Sequence, residues 1–413
     1  MTRGTARARK TFPIDNDNGR RNVTGTPIFT KSFVILLISN IFFFGGFHIT
    51  LPTTPLFALN LGGSDLDAGL TAGVFFAAAI AARLFVDLAV RRFGKRASLL
   101  LGVGLCCLAC PLYTLCSSVG ALLVVRALHG VGFGLGTTFY VAIAISLIPS
   151  TRRAEGLGYF GLATALAMAV APATGLWLVR AYGFPTLYIA AAAMSLIAFL
   201  WFASGAVTIA QDPPRMAGAK PPPLVGRLIE KGTLLYATLL FLFGVGNGGL
   251  VNLLAVYARG IGVSHPEYFF LLSTLCLLFS RLFAGRIHDR KGAAWILIPG
   301  GTIFLIGLVL TACARGPDLL MVAAIFYGFG VGALLPALQT EILSAVEPDR
   351  RSGASATYSN AIDIGLGAGS VLLAAFAGIA GFPAAYLLAA LCMVLFLALC
   401  AAQLLRQRQA KAE

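Results

Sequence analysis

The side chains of this sequence best placed to do chemistry are the few titratable ones inside long apolar stretches. Asp363 lies in one such stretch, and His48 and Arg126 lie in two others. A carboxylate held away from water can bind and release a proton, and an arginine held there needs an anionic or polar partner. These residues therefore indicate chemistry that moves protons or binds small molecules.

Asp363 is the main candidate for a proton-coupling carboxylate. It lies about ten residues, or about 15 Å, into its apolar stretch, which is near the middle of a bilayer. We predict Arg126 as its nearby partner and Glu341 as a weaker proton-binding candidate. Two alternatives stay open: a permanently paired Asp363 that orients its helix, and a structural Arg126 bonded to Asn40 or to the first helix backbone.

Polar side chains in other apolar stretches could line a substrate cavity. His48 follows a run rich in phenylalanine, and it is either a pH-responsive, substrate-binding group or a neutral histidine satisfied by its packing. The predicted cavity residues are His48, Asn40, Asn247, Asn252, Gln339, Tyr358 and Asn360.

Motifs of enzymes and metal sites do not occur in this sequence. It has no G-x-S-x-G, H-E-x-x-H or G-x-x-x-x-G-K-[ST] segment, so neither a hydrolase nor a nucleotide-driven pump is indicated. Cys106, Cys107 and Cys110 have no acidic or histidine partner close in sequence. We expect no metal and no cofactor, and we treat an embedded enzyme and a nontransporting receptor or scaffold as alternatives of other classes.

Composition indicates that these residues are held by membrane helices. The chain is 58% apolar and only 11% charged, with a mean hydropathy of +0.86, whereas a soluble protein has about 25% charged residues. Stretches of about 20 apolar residues can cross a bilayer as helices. Twelve such spans are predicted at residues 32–58, 68–90, 97–116, 118–148, 156–180, 184–209, 232–258, 267–288, 293–314, 317–343, 353–380 and 383–405.

The basic residues predict the orientation. The loops that follow even-numbered spans, together with the two tails, lie on one side of the membrane and contain 25 of the 31 Lys and Arg residues. The loops on the opposite side contain three. This asymmetry follows the positive-inside rule and predicts cytoplasmic termini. We expect a multi-pass protein of a bacterial inner membrane whose basic loops meet anionic lipid headgroups and not nucleic acid.

The chain contains an internal duplication. The segment RLFVDLAVRRFGKR starts at Arg83, and RLFAGRIHDRKG starts 198 positions later at Arg281. Related halves of this kind are how many secondary transporters are built. The predicted organisation is an all-α membrane protein with a disordered basic tail (1–31), two six-helix bundles (32–209 and 232–405), a linker between them (210–231) and a C-terminal tail (406–413).

The repeated segment resembles the signature loop of the major facilitator superfamily, G-x-L-x-D-R-x-G-R-[KR]. The second copy matches it closely, at Gly285, Ile287, Asp289, Arg290 and Gly292. The resemblance extends over about residues 32–405 and implies two bundles that move about a central cavity. It also implies that Asp289 closes the cytoplasmic side by docking near Arg152 and Arg153 at the start of the fifth helix.

The first copy of the loop departs from the family pattern. Asp87 stands where the first glycine belongs, and Arg91 replaces the acidic residue. We therefore predict an asymmetric cytoplasmic gate, with the alternative that the loop is only a basic topology signal. The predicted gate residues are Arg83, Asp87, Arg91, Arg92, Gly94, Arg281, Gly285, Asp289, Arg290 and Gly292.

Two further segments resemble family motifs. Residues 126–136, RALHGVGFGLG, are similar to the fourth-helix motif, whose arginine is associated with proton coupling or substrate contact. Pro172 and Gly175 are what remains of a fifth-helix motif associated with antiporters. The resemblance implies a monomeric, proton-coupled exporter of small organic molecules, with an uptake symporter or facilitator for a metabolite as the alternative.

Overall fold

The computed structural model describes residues 27–149, 152–205, 207, 230–347 and 350–412. These residues form α-helices with short connections and contain no strand. Residues 1–26 of the predicted disordered tail (1–31) and residues 210–229 of the predicted linker (210–231) lie outside the described residues. The end of the predicted tail is ordered, because Thr30 caps α1 and Lys31 is its first residue. The helices are α1 (Lys31–His48), α2 (Thr53–Asn60), α3 (Asp65–Leu84), α4 (Val86–Leu112), α5 (Val119–Leu147), α6 (Arg153–Ala203), α7 (Leu234–Gly260), α8 (Glu267–Lys291), α9 (Ala294–Cys313), α10 (Pro317–Ser344) and α11 (Arg351–Ala412).

The first predicted span is made of two helices. The Thr30 hydroxyl accepts the Phe33 N–H at 3.2 Å and so begins α1. The chain leaves the helix after His48, and α2 begins only after Pro52, which cannot donate a backbone hydrogen bond. Together α1 and α2 make one candidate span of 30 residues.

Two helices each merge two predicted spans. The 51 residues of α6 and the 62 residues of α11 exceed the roughly 20 residues that one crossing needs. Each is broken at a glycine with non-helical backbone, Gly183 in α6 and Gly381 in α11, so each consists of two arms. The described residues contain ten candidate spans in total, and the count of twelve crossings stays a prediction.

The duplication predicted from the sequence recurs in the backbone. Gly94 and Gly292, 198 residues apart, have φ values of +76° and +88°. Gly183 and Gly381, at the same offset, both have φ of +83°. Side-chain-bearing residues rarely adopt this conformation, so glycine is required at each of these chain reversals.

Helix packing follows the same offset. In α5, Gly130 lies against the Phe75 carbonyl of α3, and 198 residues later Gly328 of α10 lies against the Ser273 carbonyl of α8. A side chain at either glycine would overlap that carbonyl, so the small residues allow the helices to approach closely. The glycines of both halves therefore serve close helix packing.

The helix bundle has two ends that differ in charge. We call the end that carries the chain reversals at Gly94 and Gly292, with Arg91, Arg92 and Arg290, the basic face. The other end, near Gly183 and Gly381, is called the opposite face. The two halves of the chain, α1–α6 and α7–α11, meet along α3 with α11 and along the first arm of α6 with α8.

Candidate functional site

A charged contact joins the two halves between α3 and α11. Arg83 Nη2 lies 2.6 Å from Asp363 Oδ2, and each side chain is only 9% exposed. The same guanidinium donates to Asn360 Oδ1 at 3.1 Å and to Thr137 Oγ1 at 3.3 Å. Arg83 therefore connects α3 and α5 of one half with α11 of the other.

The helix lengths place this contact deep in the bundle. Asp363 follows the start of α11 at Arg351 by 12 residues, or about 18 Å, and Arg83 precedes the reversal at Gly94 by 11 residues, or about 17 Å. Both distances are about half of a 30 Å hydrocarbon core. Since charges at that depth are costly unless they are paired, the ion pair compensates both charges, although Asp363 Oδ2 is buried without a hydrogen bond of its own among the described residues.

Arg126 does not pair with Asp363, contrary to our prediction. It belongs to a separate network. Its Nε donates to the Thr71 carbonyl at 2.9 Å, and its Nη1 lies 3.4 Å from Thr50 Oγ1 and 3.5 Å from Tyr113 Oη. The guanidinium also lies over the Phe75 ring, 4.8 Å from its centroid. The side chain is fully buried, and its Nη2 has no hydrogen-bond partner in the part of the chain that the structure describes. Its partners, which lie between α1 and α2, on α3 and just after α4, are neutral and leave it without a carboxylate in the described structure.

The weaker proton-coupling candidate, Glu341, lies elsewhere again. Its Oε1 is 3.0 Å from Nε2 of His288, which is the residue before Asp289 in the second copy of the loop. Glu341 near the end of α10 and His288 near the end of α8 both lie toward the basic face. The three predicted proton-coupling residues therefore occupy three separate places.

Several predicted cavity residues instead connect helices. Asn252 Nδ2 donates to Ser370 Oγ at 2.8 Å, and the Tyr327 hydroxyl donates to Asn247 Oδ1 at 2.8 Å. These bonds join α7 to α11 and α10, which gives them a packing role. The remaining candidates are spread out: Asn40 Nδ2 donates to Thr164 Oγ1, His48 packs on the rings of Phe44 and Phe47, and Gln339 is exposed.

Arg281, predicted as a gate residue, occupies a different environment from its repeat equivalent Arg83. It lies within α8 and is partly exposed, yet its Nε is buried and has no hydrogen-bond partner. Tyr358 of α11 interacts electrostatically with both Arg281 and Asp363. The predicted residues that the structure brings together are thus Arg83, Asp363, Asn360, Tyr358 and Arg281.

The two halves are closed toward the opposite face. Arg180 Nε donates to Glu267 Oε1 at 2.8 Å, which joins the end of the first arm of α6 to the start of α8. Nearer the middle, the Thr274 hydroxyl of α8 donates to the Ala169 carbonyl of α6 at 2.5 Å. The preceding carbonyl, that of Met168, lacks its usual helical donor, because Pro172 four residues later has no N–H.

The other residue of the predicted antiporter-like motif also lies in this closed region. A side chain at Gly175 would overlap the Ile49 carbonyl at the end of α1. Gly175 therefore lets α6 approach the break between α1 and α2. Together Pro172 and Gly175 shape α6 where the halves meet.

Toward the basic face the same two helices separate. Gly158 and Gly161 of α6 and Gly285 of α8 each have open space where a side chain would project. The predicted docking of Asp289 near Arg152 is wrong for this conformation, because Asp289 is 84% exposed and Arg152 pairs with Glu155 at 2.9 Å. The carboxylate is exposed to solvent, and His288 Nδ1 of the same helix lies 3.8 Å from it.

The first copy of the loop lies at the same end. Arg91, Arg92 and Gly94 are exposed, and Asp87 is partly buried in the first turn of α4. Arg290 and Gly292 of the second copy are exposed as well. In this conformation the predicted gate residues of both loops are largely exposed, whereas Arg83 and Arg281 lie deeper within their helices.

Sequence reasoning missed two parts of this arrangement. Arg83 was predicted at the gate and not in the ion pair, although its position inside an apolar stretch was a usable signal. The Arg180 and Glu267 contact was not predicted, because both residues read as ends of spans. Residues of two different halves can be matched only when the packing of the helices is known.

Comparison with known families adds to this geometry. The sequence model of the family described as Major Facilitator Superfamily matches residues 36–311 and 238–413. An uncharacterized MFS-type transporter of Burkholderia mallei strain SAVP1 is 25% identical over 369 residues, covering 85% of this chain and 86% of that protein. An uncharacterized MFS-type transporter of Methanocaldococcus jannaschii is 23% identical over 367 residues, covering 86% and 94%.

Solved structures show the same fold. A variant of the nucleoside transporter NupG superposes with a TM-score of 0.72 at 15% identity, covering 90% of this chain and 99% of that one. The human organic anion transporter MFSD10 superposes with a TM-score of 0.62 at 18% identity, with the same coverage. At these identities the likeness concerns the arrangement of the helices alone.

Proposed function

Because this chain belongs to the major facilitator superfamily and is a multi-pass membrane transporter, we propose that it exports small organic molecules in exchange for protons. The space between the halves would be exposed to one side of the membrane at a time. Asp363 would bind and release the proton that drives the exchange. The orientation of the basic face toward the cytoplasm, predicted from the charge asymmetry, is part of this proposal.

One observation carries the proposal: the ion pair of Arg83 and Asp363 crosses the boundary between the halves. Protonation of Asp363 would remove the charge from one side of this contact and leave Arg83 with neutral partners only. Because Arg83 keeps its bonds to Asn360 and Thr137, loss of the charge on Asp363 should cost about 1.5–3 kcal/mol. A change of that size alters a conformational equilibrium by a factor of about 10 to 100, which is enough to couple proton binding to the movement of the halves.

The proposed direction of transport follows from the region where α6 meets the other half. Pro172 and Gly175 lie where α6 meets the other half, and this segment resembles the motif associated with antiporters. A proline bend at that point could help close the path while substrate and proton exchange. Export is therefore the proposed direction.

One observation favours a second candidate, which is transport of an organic anion together with protons. Arg281 adds a positive charge that no described carboxylate pairs with. An anion bound there would favour a proton on Asp363, because the two negative charges repel. In cotransport, substrate and proton promote each other's binding, whereas in exchange they oppose each other.

A distance measurement tests the role of Asp363 without a known substrate. Spin labels at Gly158→Cys and Gly285→Cys, both in open space, would report the separation of α6 and α8 in a variant without the native cysteines. We expect the distance distribution in lipid nanodiscs to change between pH 8 and pH 5.5. Asp363→Asn should abolish that change, while Asp318→Asn, at an exposed site, should leave it intact.

Two results would contradict the proposal. One is a pH response of full size in Asp363→Asn, and the other is the absence of any pH response in the parent protein. Everted membrane vesicles then test the direction with a substrate found by screening in an efflux-deficient host. An exporter that exchanges substrate for protons accumulates that substrate when the lumen is acidic. Movement of substrate out of the acidic lumen together with protons would support the second candidate.

A further inference from the structure

The two halves treat their equivalent arginines differently. In the first half Arg83 has three side-chain partners within hydrogen-bonding distance, namely Asp363, Asn360 and Thr137. One of the three carries a full negative charge. The guanidinium is therefore neutralised and fixed by the protein itself.

The same surroundings are missing around Arg281. The repeat offset of 198 residues gives the positions in the other half that are equivalent to the three partners of Arg83. Partners on α11 correspond to positions on α6, and the partner on α5 corresponds to a position on α10. All three equivalent positions carry apolar residues. The equivalent residues are Ala165 for Asp363, Leu162 for Asn360 and Leu335 for Thr137. The duplication has kept the cation and has lost every partner.

Arg281 has found no replacement partner in the described part of the chain. Its Nε is buried and makes no hydrogen bond, and it forms no ion pair there. Tyr358 of α11 interacts with it electrostatically. An arginine at membrane depth costs several kcal/mol unless an anion or polar groups compensate it. The protein supplies a cation here and leaves its counter-charge to be provided from outside.

The open side of the bundle gives access to this cation. On α8, Thr274, Arg281 and Gly285 are spaced by about two turns and one turn and therefore lie on one face. That face contacts α6 at Thr274 and has open space at Gly285. Arg281 thus lies just inside the point where the two helices separate. A molecule entering from the basic face would reach it before the closed region.

We propose that Arg281, together with Tyr358, binds the negatively charged group of the transported molecule, so that the substrate class is small organic anions. A guanidinium presents a planar fork of donors that fits a carboxylate, sulfonate or phosphate group, and the tyrosine hydroxyl can add a further donor. With one bound anion, the charges of Arg83, Asp363, Arg281 and the ligand sum to zero. The inference rests on the proposed function only in taking the space between the halves as the substrate path.

Matched pairs of ligands test the proposal on the purified full-length protein in lipid nanodiscs. The probes are benzoate, benzenesulfonate and phenyl phosphate, with benzamide and benzenesulfonamide as neutral compounds of similar shape. Binding stabilises the folded protein, so the shift in melting temperature with probe concentration gives an affinity for each variant. The variants are the parent protein, Arg281→Gln, Arg281→Lys, Tyr358→Phe and Arg259→Gln, in which Arg259 is an exposed arginine on the same half.

We expect at least one anionic probe to bind the parent protein and Arg259→Gln equally, and neither neutral probe to bind. Loss of a charged hydrogen bond should weaken that binding about ten- to a hundredfold in Arg281→Gln. Arg281→Lys should retain part of it, since the charge remains while the planar fork is lost. Tyr358→Phe should weaken it less, because a neutral hydroxyl is a weaker donor to an anion.

The proposal is overturned if no anionic probe shifts the melting temperature of the parent protein. It is also overturned if Arg281→Gln responds as strongly as Arg259→Gln, since the anion would then bind elsewhere. Selective binding through Arg281, combined with an unaltered pH response in the spin-labelled Asp363→Asn variant, would support the anion site. The same result would contradict proton coupling at Asp363, so the two failures are distinguishable.

Discussion

The ion pair between the halves should show a large energetic coupling between Arg83 and Asp363. The perturbation is a double-mutant cycle that compares Arg83→Gln, Asp363→Asn and the variant carrying both changes. Each single change leaves a charge deep in the protein without its opposite. The double change leaves two neutral amides that can still hydrogen-bond to each other.

The expected size follows from the contacts. Arg83→Gln leaves the Asp363 carboxylate, 9% exposed, without a cation, and we expect a loss of about 3–5 kcal/mol in the free energy of unfolding. Asp363→Asn should cost less, about 1.5–3 kcal/mol, because Arg83 keeps its bonds to Asn360 and Thr137. The double variant should lose less than the sum, by about 2 kcal/mol.

The assay is reversible unfolding in mixed micelles at pH 8. A second cycle on Arg152 and Glu155 provides the control, because this pair lies 2.9 Å apart but its side chains are 31% and 46% exposed. Exposed pairs of this spacing on a helix couple by less than about 0.5 kcal/mol. The comparison therefore separates burial from distance.

Additive losses in the Arg83 and Asp363 cycle, within about 0.5 kcal/mol, would refute the reasoning. Such a result would mean that the two charges are solvated independently in the membrane-bound protein. The ion pair could then not hold the halves together. The proposed consequence of protonating Asp363 would fail with it.

Other predictions concern the gate, the closed face, the packing and the proton linkage. Asp289→Asn should change the spin-label distances more than Asp87→Asn, and equal effects would mean that Asp87 restores the first loop's role. Glu267→Gln removes the partner of Arg180, a half-exposed arginine, from the contact that closes the opposite face. The state in which α6 and α8 are separated at the basic face should therefore fall about fivefold in population. Unchanged spin-label distances would contradict this. Gly175→Ala should lower the free energy of unfolding by about 1–3 kcal/mol, whereas Gly120→Ala, in open space, should not. Benzoate should cause proton uptake in weakly buffered solution if it cotransports, and proton release would indicate exchange instead.

The helices could be predicted well because a bilayer imposes a length on every crossing. The predicted span 118–148 is α5 at Val119–Leu147, and the predicted span 293–314 is α9 at Ala294–Cys313. The chain reversals at Gly183 and Gly381 were placed correctly, but their form was not foreseen. A single glycine with positive φ leaves hydrogen bonding almost continuous, and an apolar pattern does not reveal that.

The site could be predicted only in part, for a similar reason. The depth of Asp363 depends on the distance along its own helix, which the sequence contains. Its partner depends on how α3 and α11 are rotated against each other, and residues 83 and 363 are far apart in the chain. Arg126 was a reasonable choice on composition, yet its partners Thr50, Thr71 and Tyr113 are neutral, and its Nη2 has no hydrogen-bond partner among the described residues. Only packing distinguishes the two arginines.

The break at Gly381 has a mechanical consequence. The first arm of α11 carries Asp363, and the second arm follows after one reversal and returns to the basic face without a loop of its own. A connection this short allows almost no independent movement, so a tilt of the first arm must also displace the second arm. A single protonation near the middle of one arm could therefore displace a whole hairpin. A longer loop at this position would absorb that movement.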